Sequence, residues 1–387
     1  MKKKVLYVHH SGHMGGAPRS LTYLISHLDK EKFQGNVLTI RNGPAVKLLE
    51  SGGLPVEVAK GMFPFHGSTV SGMTPKLFVR NLIGALPTYF QAKKYIRKYK
   101  PDIIHLNSTC LFQVARAAKK VSPDTKVVCH VREPLLNSFA GNILKRMNHK
   151  YVDGYISIDQ FDSETVDSQG RELDVVYNFV DFKSYNPQVN GAPVRRELGL
   201  ADDDIVFLYI GRVVSGNGVL DMVNAFNKIA KDHPKFKLIV GGFYFNKNNA
   251  YEDKVMEACK GNDQIHPLAF RDDVPQMIAA SDVMMCPFVE PHFSRSIIEA
   301  ASMKKPSIGT NIGGPNELIL QGKTGYLFEA GQYDAMAQYM VKIGTDRALH
   351  EKLGQQALEF AEENFDARKN TKRTFEFYNR FFVREPV

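Results

Sequence analysis

No apolar run in the 387 residues approaches the ~18 that a membrane-crossing helix needs, so the chain is not expected to span a bilayer. The opening MKKKVLYVHH is basic and then apolar, as a signal peptide is. Its apolar part is too short, however, and Ser11-Gly12-His13 offers no small-residue cleavage site, so a first strand is expected there. Only four cysteines occur, Cys110, Cys129, Cys259 and Cys286, scattered and without a CxxC pair. That excludes a disulfide framework and the common zinc patterns, and points to buried thiols in a cytoplasmic protein. There is no internal repeat and no low-complexity tract. The acids Asp272, Asp273, Asp282, Glu290 and Glu299 fit no metal-ligand spacing; caps and hydroxyl contacts are expected of them, and no metal.

What the chain does have is core. At 43% apolar content this length suggests two or three domains. Its charge is uneven. Residues 1–185 hold 26 Lys and Arg against 15 Asp and Glu, a net of +11, whereas the remainder holds 24 against 26, a net of −2. A basic front half suits an anionic partner such as phosphate or a membrane surface. The cations are spread out and no recognition module accompanies them, so nucleic acid is not expected.

Short β-rich runs alternate with helical patterns throughout. Strands are expected at 5–9, 37–40, 103–106, 127–130, 155–158 and 175–177. After a break they are expected at 205–210, 236–240, 265–268, 283–286, 307–309 and 325–328. Such alternation predicts α/β architecture, two doubly wound parallel sheets with helices on both faces. The break at 185–193 (YNPQVNGAP) reads as a turn-rich linker. Expected domains are therefore 1–187 and 188–365. A C-terminal helix over 366–387 carries Phe375, Tyr378, Phe381 and Phe382 at helical spacing and is expected to pack back on the first domain. Two such domains would face a cleft with the carboxyl ends of their strands, where ligands bind.

The densest signal lies at 286–314, CPFVEPHFSRSIIEAASMKKPSIGTNIGG. An apolar strand ends at Cys286, and Ser294-Arg295-Ser296 stands where a helix should begin. Hydroxyls there can cap free amides, and the amides with the helix dipole attract phosphate oxygens. Glu299, just over a turn inside, is placed to meet hydroxyls on whatever carries the phosphates. Gly313-Gly314 permits close backbone approach. This is the anatomy of a nucleotide-diphosphate pocket. Arg212 ends the run Tyr209-Ile210-Gly211 before a glycine-rich turn, a position suited to bidentate phosphate binding.

Weaker signals sit in the first half. Gly15-Gly16 closes the loop after the first strand, for ligand approach or simply for the turn. Asn107 and Ser108 end another strand, as ligand contacts or helix caps. His130 ends the strand Lys126-Val127-Val128-Cys129 and is followed by Val131-Arg132; it is either a ligand contact or a satisfied core histidine.

Together these residues resemble the retaining glycosyltransferases of family 4, with the GT-B fold. The resemblance covers nearly the whole chain. It runs from Gly15-Gly16-Ala17 through Asn178-Phe179-Val180-Asp181, Gly211-Arg212, Phe270-Arg271-Asp272-Asp273, Ser281-Asp282, Phe293-Ser294-Arg295 and Glu299-Ala300 to Gly313-Gly314, Glu317 and Gly322-Lys323-Thr324-Gly325. It implies transfer of a sugar from a UDP- or GDP-linked donor to an acceptor hydroxyl with retention, without metal or other cofactor. By resemblance, His130, Arg212 and Glu290 are catalytic. Gly16, Arg212, Asn217, Arg271, Ser294, Arg295, Ser296, Ile297 and Glu299 bind the donor, with the segment 269–271 along the base. Gly15, Gly16, Asn107 and Arg132 bind the acceptor.

Two positions depart from the family. A lysine usually stands five residues after the arginine; here that residue is Asn217. A hydrogen bond to a charged group is worth roughly 1.5–3 kcal/mol, so the loss amounts to about 10- to 150-fold unless Arg295 compensates. The usual acid pair also has seven residues between its members, and eight separate Glu290 from Glu299.

On the acceptor side, 61–74 is expected to form a flexible loop. The following region, 76–100, mixes Phe78, Leu82, Leu86, Tyr89 and Phe90 with Arg80, Lys93, Lys94, Arg97, Lys98 and Lys100. It is either a core-facing helix with a solvated basic face or a dock on an anionic membrane. The overall expectation is an enzyme of bacterial surface polysaccharide or glycolipid assembly, cytoplasmic or peripheral at the inner membrane face, acting on a saccharide or lipid-linked saccharide. The rival expectations are a GT-B epimerase or phosphorylase and a nucleotide-sugar-binding protein without turnover.

Overall fold

The computed structural model describes residues 2–67, 73–135, 137–245 and 249–382. Its first sheet has seven parallel strands: β1 (Lys3–His9), β2 (Phe33–Thr39), β3 (Val56–Val58), β4 (Ile103–Leu106), β5 (Lys126–Val131), β6 (Gly154–Ser157) and β7 (Glu172–Val175), in the order β3-β2-β1-β4-β5-β6-β7. The second has six, also parallel: β8 (Ile205–Ile210), β9 (Phe236–Phe243), β10 (Ile265–Ala269), β11 (Val283–Cys286), β12 (Ser307–Thr310) and β13 (Gly325–Phe328), in the order β10-β9-β8-β11-β12-β13. Strands covered on both faces read as unbroken apolar runs, as IVFLYI of β8 does. In each sheet the chain winds outward to one side and then returns to the other. The order therefore reverses between β1 and β4, and again between β8 and β11. Ligands of such sheets bind beyond the carboxyl ends at that reversal.

The sequence pattern missed β3, a three-residue edge strand behind Pro55, and placed β7 a few residues late because Glu172 and Asp174 break its apolar run. All four cysteines are buried and unpaired.

The chain passes from the first compact unit to the second between Asn178 and Phe179, nine residues before the expected boundary. Residues 179–187 belong to the second unit because Val180 N–H donates to the Phe365 carbonyl (2.9 Å) and the Phe179 carbonyl accepts from Arg295 Nη2 (3.1 Å). The helix Ala367–Arg380 rejoins the first unit. It buries Phe375, Phe377 and Tyr378 in a cluster with Val5, Tyr7, Leu21 and Phe33.

Between residues 79 and 90 the helix Pro75–Tyr99 turns most of its large apolar side chains outward, while Tyr95 and Ile96 near its end are buried. Asn81, Gly84, Thr88 and Ala92 face the core, where Asn81 Nδ2 donates to the His66 carbonyl (2.6 Å) and Thr88 Oγ1 accepts from Phe63 N–H (2.8 Å). Val79, Leu82, Ile83, Leu86 and Phe90, spaced as one helical stripe, are exposed, Ile83 by 71% and Phe90 by 62%. The expectation of a core-facing apolar side fails for Leu82, Leu86 and Phe90; Phe78 and Tyr89 are the ones packed against the core. No helix of the described residues is long and apolar enough to cross a membrane. Of the loop expected at 61–74, residues 68–72 lie outside the described residues, and Met62 and Phe65 are anchored in the core.

Candidate functional site

Each unit gathers polar residues at its own sheet reversal. In the second, β8 delivers Gly211 and Arg212, and β11 delivers the loop to Ser294. Gly218 has φ +64, and a Cβ there would lie 1.9 Å from the Pro287 carbonyl oxygen. Only glycine therefore lets these two loops close together. They are stitched by Val289 and Glu290 N–H, both donating to the Gly216 carbonyl (2.9 and 3.1 Å). Behind them, Gly313 (φ +50) sits where a Cβ would meet Pro291 at 2.7 Å.

The Arg212 guanidinium is exposed and makes no hydrogen bond or ion pair with the described residues. Its carbonyl, by contrast, is clamped by Tyr209 Oη (2.8 Å) and Asn217 Nδ2 (2.8 Å), and Nδ2 also donates to Tyr209 Oη (2.9 Å). Asn217, 8% exposed, thus holds the arginine's backbone instead of reaching toward a donor.

Ser294 occupies the N-cap of the helix Arg295–Ser302, but its side chain caps nothing. Oγ instead contacts Ser296 Oγ (2.9 Å) and Cys286 Sγ (3.6 Å). The hydroxyl capping expected from the sequence is absent, and the first-turn amides, Ile297 among them, have no side-chain cap. Uncapped amides and the positive dipole end suit an anion. Arg295 does not stand in for the missing lysine, since Nε pairs with Glu299 Oε1 (3.3 Å) and Nη2 with the Phe179 carbonyl. That ion pair also occupies the carboxylate expected at a ribose, Glu299 being buried. Glu290 keeps one carboxylate oxygen, Oε2, buried without a hydrogen bond among the described residues. Beside it, burial and the Arg212 charge hold the His292 imidazole below its usual range, against a bond with the Glu290 carbonyl.

Arg271, expected at the donor, is engaged by acids of its own unit. Its guanidinium is gripped by Glu197 (2.5 and 2.9 Å) and Asp273 (2.8 and 2.6 Å), both acids pairing with two of its nitrogens. Those bonds raise its pKa, tie the helix Ala192–Glu197 to the loop after β10 and commit four of the five guanidinium N–H groups within the protein. Its neighbour Phe270 is exposed, with its ring parallel (4°) to that of Tyr244 at 6.4 Å.

In the first unit, β1, β4 and β5 bring His9, Asn107 and His130 into one row on one face of the sheet, one step beyond the pairs Val8–Leu106 and Leu106–Cys129. Arg132 joins them: Nε donates to Asn107 Oδ1 (2.6 Å) and Nη1 to Asn178 Oδ1 (3.2 Å). Asn107 Nδ2 reaches the Ala17 carbonyl (3.2 Å) in the helix Gly16–Ser26. Ser108, not Asn107, is the cap, accepting from Cys110 N–H (3.3 Å). Gly15 has an extended backbone open to any residue, and a Cβ there would touch nothing within 4 Å, so neither strain nor crowding demands glycine. His130 is 4% exposed, and burial, then Arg132, pushes its pKa well down. Sequence reasoning missed His9 and His105. The signal was available for His9, a polar residue at the carboxyl end of an apolar parallel strand, and for His105 as the lone polar residue inside the apolar run of β4.

Among the described residues, no group of three or more His, Cys, Asp or Glu is disposed to hold a metal.

Two family models match in succession: Glycosyltransferase Family 4 over residues 14–184 and Glycosyl transferases group 1 over residues 192–360. The fold and both matches define a GT-B protein. The chain belongs to the family 4 glycosyltransferases. It is similar to N-acetyl-alpha-D-glucosaminyl L-malate synthase of Bacillus anthracis, 29% identical over 206 residues, and spans about half of that relative, 51% of each chain. It is 24% identical over 372 residues, 90% of each chain, to UDP-Gal:alpha-D-GlcNAc-diphosphoundecaprenol alpha-1,3-galactosyltransferase of Escherichia coli. Among solved structures, Anabaena HepE in complex with UDP and glucose matches with a TM-score of 0.80 at 22% identity, covering 97% of this chain and 99% of that one.

Proposed function

We propose that the protein is a retaining glycosyltransferase that moves a sugar from a UDP-linked donor to a hydroxyl of a lipid-linked saccharide during bacterial surface polysaccharide or glycolipid assembly. The observation that carries this is the unengaged Arg212 guanidinium at the same sheet reversal as the uncapped helix Arg295–Ser302. Both suit a diphosphate, and stabilising that leaving group is what transfer from a nucleotide sugar requires. The bond from the anomeric carbon to the diphosphate oxygen breaks, the bond to the acceptor oxygen forms, and the acceptor proton passes to a diphosphate oxygen. Phe270 with Tyr244 offers the base an aromatic face, and Arg132 and Asn107 serve the acceptor. Support for UDP comes from Anabaena HepE, whose structure holds UDP, and for a lipid-linked acceptor from the Escherichia coli relative's diphosphoundecaprenol substrate.

The test is incubation with UDP-galactose, UDP-glucose and UDP-N-acetylglucosamine, with and without a polyprenyl-diphosphate-linked sugar, read by NMR of the product anomer. An α-linked product from an α-linked donor is expected. A β-linked product overturns retention, and a donor sugar altered without any acceptor makes the protein an epimerase.

The exposed stripe of Pro75–Tyr99 completes this reading as a dock on an anionic membrane. The helix contains no Asp or Glu, and Lys76, Arg80, Lys94 and Arg97 are exposed or half-buried around the stripe. Apolar residues entering the headgroup boundary and roughly 1 kcal/mol per nearby cation give reversible attachment. Ile83→Glu with Phe90→Glu is expected to cut co-sedimentation with phosphatidylglycerol vesicles more than tenfold at unchanged Tm. Equal binding to phosphatidylcholine vesicles, or no effect of the two substitutions, overturns the dock.

A further inference from the structure

In the first unit a chain of ring nitrogens has its hydrogens placed by geometry. A guanidinium only donates. Arg132 Nη2 lies 3.3 Å from His130 Nδ1, so that nitrogen accepts and the hydrogen of the neutral ring sits on Nε2. His105 Nε2, 3.3 Å from the same Nδ1, must then carry a hydrogen of its own. His105 Nδ1 is left bare and accepts from Tyr378 Oη at 2.6 Å. The chain thus runs from Arg132 to a tyrosine on the last helix.

The same guanidinium acts in the other direction. Because Arg132 Nε donates to Asn107 Oδ1, the amide points Nδ2 at His9 Nδ1 (2.9 Å). His9 Nδ1 therefore accepts, and its hydrogen also sits on Nε2. Burial first and the Arg132 charge after it keep His130 and His105 neutral, and burial with His10 and Arg132 does the same for His9. The outcome is two buried Nε2–H donors, on His9 and His130, with no partner among the described residues. A buried donor without an acceptor is costly, and a ligand oxygen relieves that cost.

We propose that Arg132, His105 and Tyr378 are positioning residues that lock His130 in the Nε2–H tautomer, and that Arg132 acting through Asn107 does the same for His9, making both histidines hydrogen-bond donors to sugar oxygens. His130 then cannot act as a general base, because its lone pair is turned onto Arg132 and His105 and its other nitrogen, Nε2, already carries hydrogen. The identity of the ligand rests on the glycosyl-transfer reading above; the tautomers do not.

The test is two-bond 1H–15N correlation on the full chain labelled with [15N]histidine, with signals assigned through His130→Gln and His9→Gln. Both rings are expected to show the Nε2–H pattern in the wild type. Arg132→Met, which removes the donor, is expected to turn His130 into a tautomer mixture. Arg132→Lys, again a donor that cannot accept, is expected to restore it. Tyr378→Phe is expected to move His105 toward Nδ1–H. An Nδ1–H pattern for wild-type His130, or an unchanged pattern in Arg132→Met that retains its Tm, overturns the lock. The wild-type spectrum decides even where the variants do not fold. Addition of UDP-sugar and saccharide acceptor separates the two ideas. If the Nε2–H pattern stands but no sugar perturbs either ring, the lock survives and the sugar assignment falls. If sugars bind while His130 is Nδ1–H, the transfer reading survives and the lock falls.

Discussion

At the scale of single residues, Asn217 shows why a motif comparison and a structure can disagree. By resemblance a lysine belongs there, and the sequence therefore reads as an impaired donor site. The fold instead uses the amide to fasten the backbone that carries Arg212. Asn217→Ala is expected to cost about 1–2 kcal/mol, since it removes two buried hydrogen bonds and leaves Tyr209 Oη as the remaining clamp. Asn217→Lys, which supplies the family's usual cation, is expected to lower Tm without tightening UDP; calorimetric titration alongside a melting curve checks both. Arg271 was legible as a family position, but its ion pair with Glu197 was not, because that acid lies 74 residues away in the chain and no local pattern announces it. Arg271→Ala is expected to leave the UDP affinity within about twofold, a bound set by the half-exposed Glu197 and the small worth of such pairs. A tenfold loss would return the arginine to the donor site.

At the scale of elements, the strands that carry the site were readable because a short apolar run bounded by glycine and polar residues fits a buried parallel strand and little else. Those missed or misplaced were polar edge strands with little periodicity. The helix Pro75–Tyr99 was readable as amphipathic, but periodicity cannot say which face is inward; Gly84 and Thr88, packed against Phe63, decide it. The last helix shows the opposite case, in which aromatic spacing demanded a partner surface. Phe377, fully buried, was not among the residues singled out, yet it closes the cluster under β1. Phe377→Ala is expected to destabilise the first unit by about 3–5 kcal/mol, a large part of the ~5–15 kcal/mol typical of a native protein. Urea unfolding followed by tyrosine fluorescence reads it directly, and a loss under about 1 kcal/mol, far below the usual cost of a buried Phe truncation, would show the helix to be dispensable.

For the molecule as a whole, the buried histidines tie stability to acidity. Burial lowers the His105 pKa to about 3, whereas the unfolded chain's imidazole protonates near its ordinary 6.5. The unfolded state therefore gains a proton first as pH falls, and stability present in full above about pH 6.5 is lost progressively below it. The slope reaches about 1.4 kcal/mol per pH unit for each histidine so held, and His9 and His130 shift in the same direction. Melting curves at pH about 7.5 and about 5.5, on either side of the unfolded pKa, are expected to differ by several degrees. A flat profile would mean that these rings are hydrated. The two-sheet architecture was legible from alternation alone, while the unit boundary was not. Residues 179–187 were expected in the first domain, ahead of the turn-rich stretch, and the second unit claims them through bonds such as Val180 N–H to the Phe365 carbonyl, which composition cannot reveal.

The transfer chemistry stands or falls with Arg212 and the uncapped helix at Arg295 holding a nucleoside diphosphate. Isothermal titration of UDP and of uridine against the wild type and Arg212→Ala is the decisive measurement. Arg212→Ala is expected to weaken UDP by about 10- to 150-fold and to leave uridine unchanged, since only the phosphates meet the guanidinium. Equal UDP affinity in the two proteins, or no UDP binding by the wild type, would contradict it.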